Sequence, residues 1–138
     1  VKVKERGRIL LVEYSEIYNI GISPLEAARD PHEGGWDSTP SYFLTAVSNC
    51  DKILVIDSKD SKSSSMRYVE TRSHLGGGAN IRHLVSGPGW ATSAMGNDNI
   101  TAVIGTEKKH KEHAWKVVQI LKGQGGGYLF VKTHPNSR

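Results

Sequence analysis

Residues 52–57 place the strongest constraint on the fold, because they read Lys-Ile-Leu-Val-Ile-Asp. Four consecutive apolar side chains, three of them β-branched, predict a β-strand between two charged residues. Successive side chains of a strand point to opposite faces. An uninterrupted apolar run therefore predicts a strand that is covered on both faces.

Four more segments predict strands from their apolar and β-branched content. The segment that follows the polar stretch after Asp57 alternates Met66 and Tyr68 with Arg67 and Val69, and it is expected to pair with the preceding strand as a hairpin. The four segments are Arg8–Tyr14, Met66–Arg72, Ile100–Ile104 and Gly127–Thr133.

Capping residues and helical spacing predict helices between these strands. Ser23-Pro24-Leu25-Glu26 has a residue suited to the N-cap, a proline suited to the first helical position, and a Glu whose side chain can accept a hydrogen bond from the Ser23 amide. Residues 114, 117, 118 and 121 are apolar at helical spacing. The predicted helices begin at Ser23 and end at Asp30-Pro31, run from Ser38 or Thr39 to about Ser48, and span Ala79–Val85 and Glu107–Lys122.

The resulting order, β-α-α-β-β-α-β-α-β, predicts an α/β fold. We expect a single layered domain over residues 1–138, with a mixed sheet of about five strands and three to four helices. A chain of 138 residues falls within the usual size of one domain.

Composition constrains the partners and the compartment. Eighteen Lys and Arg against fourteen Asp and Glu give a formal charge of +4, which weakly favours anionic partners. Cys50 is the single cysteine, so no internal disulfide forms, and we expect it to be a small buried hydrophobe. The absence of a long apolar stretch or signal peptide leads to the expectation of a cytoplasmic protein without a membrane partner.

A glycine-rich segment between a predicted strand and a predicted helix is the first candidate site. Backbone amides at a helix N-terminus bind anions, and glycine allows a ligand to approach the backbone closely. Arginine side chains add donors that suit phosphate. The prediction is a site for a nucleotide or a nucleic-acid backbone, against the alternative of a plain turn, and it is formed by Arg72, Gly76, Gly77, Gly78, Ala79 and Arg82.

A basic run lies at the start of the longest predicted helix. Lysines there oppose the helix dipole, so a bound anion would stabilise them. The alternative is a solvated charged face. We expect Lys108, Lys109 and Lys111 to extend the positive field of the phosphate site.

Two carboxylates at strand ends suggest an enzymatic alternative. Asp57 followed by Glu70-Thr71-Arg72 resembles, over ~20 residues, the Asp and Glu-x-Lys pattern of metal-dependent nucleases. The resemblance implies that Asp57 and Glu70 hold Mg²⁺ for phosphodiester hydrolysis, with His74 as an acid or base. Arg72 stands where that pattern has a Lys. Outside this alternative we expect no cofactor and no metal site.

Two further possibilities remain open. The segment His32–Asp37 is expected to be a loop in which Trp36, like Trp90 later in the chain, either stacks on a base or anchors the loop on the core. Unpaired sheet edges would allow a structural role as a homo-oligomer. The preferred function from sequence is binding of a phosphate-bearing ligand.

Overall fold

The computed structural model describes residues 2–3, 6–27, 31–39, 41–47, 52–59, 66–70, 75–94, 98–104, 112–134 and 136. Eleven strands lie in these residues and account for about 60% of them. In chain order they are β1 (Lys2–Val3), β2 (Arg8–Glu13), β3 (Gly21–Glu26), β4 (Pro31–Trp36), β5 (Tyr42–Val47), β6 (Lys52–Asp57), β7 (Met66–Glu70), β8 (Leu75–His83), β9 (Gly87–Ala94), β10 (Asn99–Ile104) and β11 (Lys116–Lys122).

The strands form three antiparallel sheets in which chain neighbours are also sheet neighbours. The first sheet has the order β1-β2-β3, the second β4-β5-β6-β7 and the third β8-β9-β10-β11. Such meanders need only short connections, because each strand returns beside the one before it.

The second sheet lies between the other two, and its faces build two separate cores. Ile53 and Val55 of β6 pack with Trp90 of β9 on one face. Leu54 and Ile56 pack with the first sheet on the other face. All four of these β6 side chains are buried. The predicted strand with both faces covered is confirmed, although sheets cover it where helices were expected.

Three other strand predictions agree with the structure. Arg8–Glu13 and Asn99–Ile104 are strands, and Met66–Glu70 pairs antiparallel with β6 as the predicted hairpin. The last predicted strand, Gly127–Thr133, is reduced to a single bridge between Phe130 and Gly77.

The α/β prediction is wrong, because the described residues contain no α-helix. Each predicted helix is replaced by a strand in its described part. Residues 21–26 form β3, residues 42–47 form β5, residues 75–83 form β8 and residues 116–122 form β11. The predicted loop over His32–Asp37 is likewise mostly a strand, β4.

Pairing partners that are distant in sequence explain why local helix signals failed. Pro24 lies in β3, an edge strand of its sheet. An edge strand accepts proline because the missing N–H can face away from the neighbouring strand. The expected helix from 79 is an extended strand that pairs with β9 through a turn ending at Gly87, whose φ is 82°. Tertiary pairing outweighs intrinsic helix preference at such positions.

Within the described part of the chain, no helix has the length and apolar content to cross a membrane.

Candidate functional site

The first strands of the second and third sheets, β4 and β8, lie side by side. The side-chain amide of Asn80 donates to the backbone carbonyl of Trp36 at 3.0 Å. Nearer the strand starts, a Cβ built on Gly77 would lie 3.4 Å from a carboxylate oxygen of Glu33. From the first contact to the second, the residue number falls on both strands, from Trp36 to Glu33 on β4 and from Asn80 to Gly77 on β8. The two strands therefore run parallel, and their starts lie at the same end.

Each of these two strands begins with a β-bulge. The register on β5 moves from Val47 to Thr45 while β4 advances from Pro31 to Gly34. In the third sheet it moves from Ala94 to Thr92 while β8 advances from Leu75 to Gly78. Three steps on one strand against two on its partner mean one extra residue in each case. The paired bulges are residues 31–34 and 75–78.

A buried threonine hydroxyl bonds to a carbonyl within each bulge, that of the third residue in the first bulge and that of the second residue in the other. The Thr45 hydroxyl donates to the carbonyl of Glu33 at 2.8 Å, and the Thr92 hydroxyl donates to the carbonyl of Gly76 at 2.7 Å. Both threonines are fully buried. A bulge leaves a carbonyl outside the ladder, and a buried carbonyl without a partner is costly. The repeated hydroxyl contact removes that cost and fixes the bulge geometry.

A third segment continues the row of parallel neighbours beyond β8. The Gly77 amide donates to the Leu129 carbonyl, and the Val131 amide donates to the Gly77 carbonyl, both at 2.9 Å. The bridge between Gly77 and Phe130 is parallel. The paired bulges therefore lie within a row formed by β4, β8 and residues 129–131.

The described charges at the paired bulges belong to Glu33 and Lys2. Burial lowers the pKa of the Lys2 amine, and the negative charge of Glu33 opposes that shift. Glu33 is exposed, whereas Lys2 is half-buried. An amine of lowered pKa beside a carboxylate gives this end of the row both a cation and an anion.

Two histidines stand within or next to the bulged segments in the sequence. His32 is a residue of the first bulge, and the structure describes its backbone. His74 immediately precedes Leu75, the first residue of β8, and lies outside the described residues. Bulges are frequent beside active sites, because the extra residue redirects a side chain.

The predicted anion site does not form, because its amides have other partners. The Gly77 amide is bonded to Leu129. Gly78 and Ala79 pair with β9, and no helix begins after them. Glycine is required here for packing: a Cβ on Gly76 would lie 2.2 Å from the Leu129 carbonyl oxygen.

The described cationic residue of that prediction, Arg82, does not lie beside the glycines. Arg82 pairs with Pro88 near the opposite end of β8 and is exposed. Arg72, Lys108, Lys109 and Lys111 lie outside the described residues.

The predicted magnesium site is ruled out by the pairing of β6 with β7. Glu70 pairs with Lys52 at the start of β6, whereas Asp57 is the last residue of β6. Five residues of extended strand separate the two positions by roughly 17 Å. In addition, an Asp57 carboxylate oxygen accepts the Lys59 amide at 2.9 Å.

The two tryptophans singled out from the sequence have different environments. Trp36 is 48% exposed and packs edge-on against Phe43, with ring centroids 5.3 Å apart. Trp90 is buried in β9, in a strand where a loop was expected.

Sequence analysis missed Glu33, Thr45 and Thr92 as parts of the site. The sequence holds one signal for them, because Glu33-Gly34-Gly35 is similar to Gly76-Gly77-Gly78. A Thr follows each, 12 residues after Glu33 and 16 residues after Gly76. The similarity is short and depends mainly on glycines, so it does not by itself indicate an internal repeat.

A cavity of about 970 Å³ lies away from the paired bulges. Its walls include Leu11 of β2 and the aromatic pair Trp36 and Phe43. In the described register β1 covers β2 only at Arg8 and Ile9, so the cavity follows the remainder of β2. It is a gap between two sheets. Lys2 also lines it, whereas no residue of 31–34 or 75–78 does.

Among the described residues no group of three or more His, Cys, Asp or Glu could hold a metal ion. A protein site for zinc needs three or four such ligands.

Two comparisons with known proteins agree in pointing to one family. The family model described as the cytochrome D1 heme domain matches residues 1–138. A nitrite reductase from Stutzerimonas stutzeri is 41% identical over 144 residues. That alignment covers 100% of this chain and 26% of the relative, so the chain spans about a quarter of that protein's length.

These similarities overturn the functional predictions from sequence. Phosphate-ligand binding and magnesium-dependent nuclease activity are contradicted, because the matching family is named for a heme domain and the relative is named a nitrite reductase. The comparisons give no support for a structural homo-oligomer. The expected absence of a cofactor is wrong for the same reason. A nucleotide or nucleic acid is no longer the expected partner.

Proposed function

The chain belongs to the cytochrome D1 heme domain family, and from that premise we propose that it forms part of a heme pocket in a nitrite reductase. The observation that carries the proposal is the pair of matching bulges at the same end of β4 and β8, with histidines at positions 32 and 74. The fold supports it, because stacked four-stranded meanders are the blades of a β-propeller.

In a propeller the first strands of successive blades surround the central axis. The parallel row of β4, β8 and residues 129–131 has that arrangement. The heme would lie at the bulged end of this row. A heme brings its own equatorial nitrogens, so one histidine is enough to bind its iron. His32 belongs to the bulge of β4, and His74 precedes β8 in the sequence. The backbone of the glycine-rich strands would form the wall beneath it.

The heme, when bound, would bind nitrite through its iron and pass an electron to it. Releasing an oxygen of nitrite as water consumes protons, which the protein must supply. Histidine is the side chain whose ordinary pKa suits proton donation near neutral pH. We propose that His74 donates a proton to bound nitrite, and that His32 shares this role or binds the iron.

The exposed carboxylate of Glu33 and the amine of Lys2 complete the polar end of the row. Nitrite is an anion, so the Lys2 charge would attract it, whereas Glu33 would repel it.

The proposal is tested with the variant His74→Ala in the complete protein. We expect the heme absorption spectrum to persist while nitrite turnover falls by about 10²–10⁴-fold, the usual contribution of a general acid. His113→Ala is the matched control, because His113 lies before the outer strand β11 and pairs with Glu112. The control should keep both heme and turnover.

Two results would contradict the proposal. If the complete protein, purified from cells able to make the cofactor, holds no heme, the proposed heme pocket is wrong. If turnover is unchanged in both His74→Ala and His32→Ala, the proton-donating role of the histidines is wrong, while the proposed heme pocket is not affected.

A further inference from the structure

Strand β3 is the last strand of its sheet, and no strand of the described residues pairs with its other side. We call that side the free side of β3. The hydrogen bonds between β3 and β2 show which backbone groups face it. Just beyond the strand, the Ala27 amide donates to the Gly7 carbonyl at 2.7 Å, and the antiparallel register then continues along all of β3 without a shift.

The alternation of an antiparallel ladder assigns the backbone groups of β3 to its two sides. Hydrogen-bonded and non-hydrogen-bonded pairs follow each other residue by residue. Since the Ala27 amide points to β2, the amides of residues 25 and 23 do so as well. Residues 22, 24 and 26 therefore direct their backbone groups to the free side.

Pro24 is the middle one of these three residues, and it has no amide hydrogen. Its ring occupies the position from which a neighbouring strand would receive a hydrogen bond. A strand that added to β3 would lose its central hydrogen bond and would contact the ring. The free side therefore has backbone donors only at Ile22 and Glu26, near the two ends of the strand.

The hairpin of β2 and β3 has an exposed apolar surface beside this edge. Aromatic and β-branched residues of this kind favour extended structure, and a sheet edge next to them is a template for another chain. The exposed large apolar residues of the hairpin are Val12, Tyr14, Ile17, Tyr18, Ile20 and Ile22.

The last strand of the third sheet, β11, is protected in a different way. Ala102 of β10 pairs with Gln119 and Val103 pairs with Val117, so Val118 is an extra residue on β11. This edge strand also begins and ends with a lysine. A bulge and terminal lysines both hinder the addition of another strand. The described β3 has no register shift and no lysine, so its protection depends on Pro24.

We propose that Pro24 prevents β3 from pairing with the β3 strand of a second copy of the protein. Two copies related by a two-fold axis would bring the same edge together from both sides. Where Pro24 faces Pro24, the central pair of that contact forms no backbone hydrogen bond. This role does not depend on heme binding, because β3 is not part of the row of β4, β8 and residues 129–131.

Pro24→Thr in the complete protein tests the proposal. Threonine returns an amide hydrogen to the free side and favours extended backbone. We expect the weight-average mass in sedimentation to rise with concentration to about twice that of the unmodified protein or more, because the edge contact joins two copies. A mass equal to that of the unmodified protein at every concentration would overturn the proposal.

Pro24→Lys separates edge pairing from a loss of stability. It removes the same ring and returns the same amide hydrogen, but it places a charge on the edge, which opposes strand pairing. We expect this variant to keep the mass of the unmodified protein. If Pro24→Thr and Pro24→Lys associate equally, unfolding and not the free side drives the association, and the proposal is wrong.

Ser23→Thr is the matched control, because the amide of residue 23 already points to β2. It adds a β-branched residue to the same strand and leaves the free side as it is. Its mass should equal that of the unmodified protein. Association of Ser23→Thr to the same extent as Pro24→Thr would also overturn the proposal, because strand preference alone would then explain both.

Discussion

At the scale of single residues, glycine serves close packing at the site and not ligand binding. Gly76 lies under the Leu129 carbonyl, and Gly34 lies under the Leu44 carbonyl, at distances that no Cβ could share. The glycines of 76–78 suggested an open anion site from sequence. The same residues instead allow neighbouring strands to approach each other.

The first prediction concerns this close approach. Gly76→Ala should destabilise the protein by about 1–3 kcal/mol, because the new methyl group meets a backbone oxygen that cannot move aside easily. Denaturant unfolding of the complete protein measures the change. Gly125→Ala, which meets nothing within 4 Å, should be neutral or stabilising by up to about 1 kcal/mol. Equal effects of the two substitutions would contradict the packing role.

Asp37 shows how one carboxylate closes the turn between β4 and β5. It is 5% exposed and accepts the amides of Thr39, Ser41 and Tyr42 at 2.9–3.0 Å. A charged acceptor strengthens such hydrogen bonds, and removal of the carboxylate leaves these three amides without that acceptor.

Asp37→Ala is therefore expected to lower the free energy of unfolding by about 1–3 kcal/mol or more. Asp57→Ala is the comparison, because the Asp57 carboxylate accepts a single exposed amide, that of Lys59. Its cost should be clearly smaller. Similar losses from both variants, measured by thermal unfolding, would mean that the Asp37 turn contributes little.

At the scale of elements, β6 and β11 are the two extremes. β6 is a central strand with both faces covered, and its four apolar side chains are buried. β11 is an edge strand on which Ile120 and Leu121 remain about half exposed. The contrast follows from position in the stack and not from composition, since both strands are apolar.

We predict that Leu54→Ala costs about 2–5 kcal/mol, because it empties a fully buried site between two sheets. Leu121→Ala should cost no more than about 1 kcal/mol, since nearly half of that residue is already in water. Urea unfolding of both variants measures the difference. A Leu121→Ala cost equal to that of Leu54→Ala would mean that β11 is covered in the complete protein.

Element type was predictable from sequence where the pattern was strong and local. The uninterrupted run of β6 and its hairpin with β7 were both predicted. The start of β3 carries good helix-capping residues, yet it pairs with β2 along its whole length. A capping box reports local preference, and it contains no information about a partner strand elsewhere in the chain.

At the scale of the whole molecule, the sequence predicted a layered fold but not whether the layers are helices or sheets. A strand buried on both faces must have a layer packed on each side, and either helices or sheets can form that layer. The paired bulges could not be predicted, because they depend on two registers, each set by a different partner strand. His74 was selected from sequence for proton transfer, and that role stays a prediction.

The row of parallel strands has a consequence for how proteins of this architecture can change. A longer stretch of chain separates Gly77 from Phe130 than separates Glu33 from Gly77, yet both pairs meet at similarly close range. The close approach of the strands in this row therefore does not depend on the length of chain between them. Insertions and deletions can accumulate in the outer strands and loops while the spacing within the row stays the same.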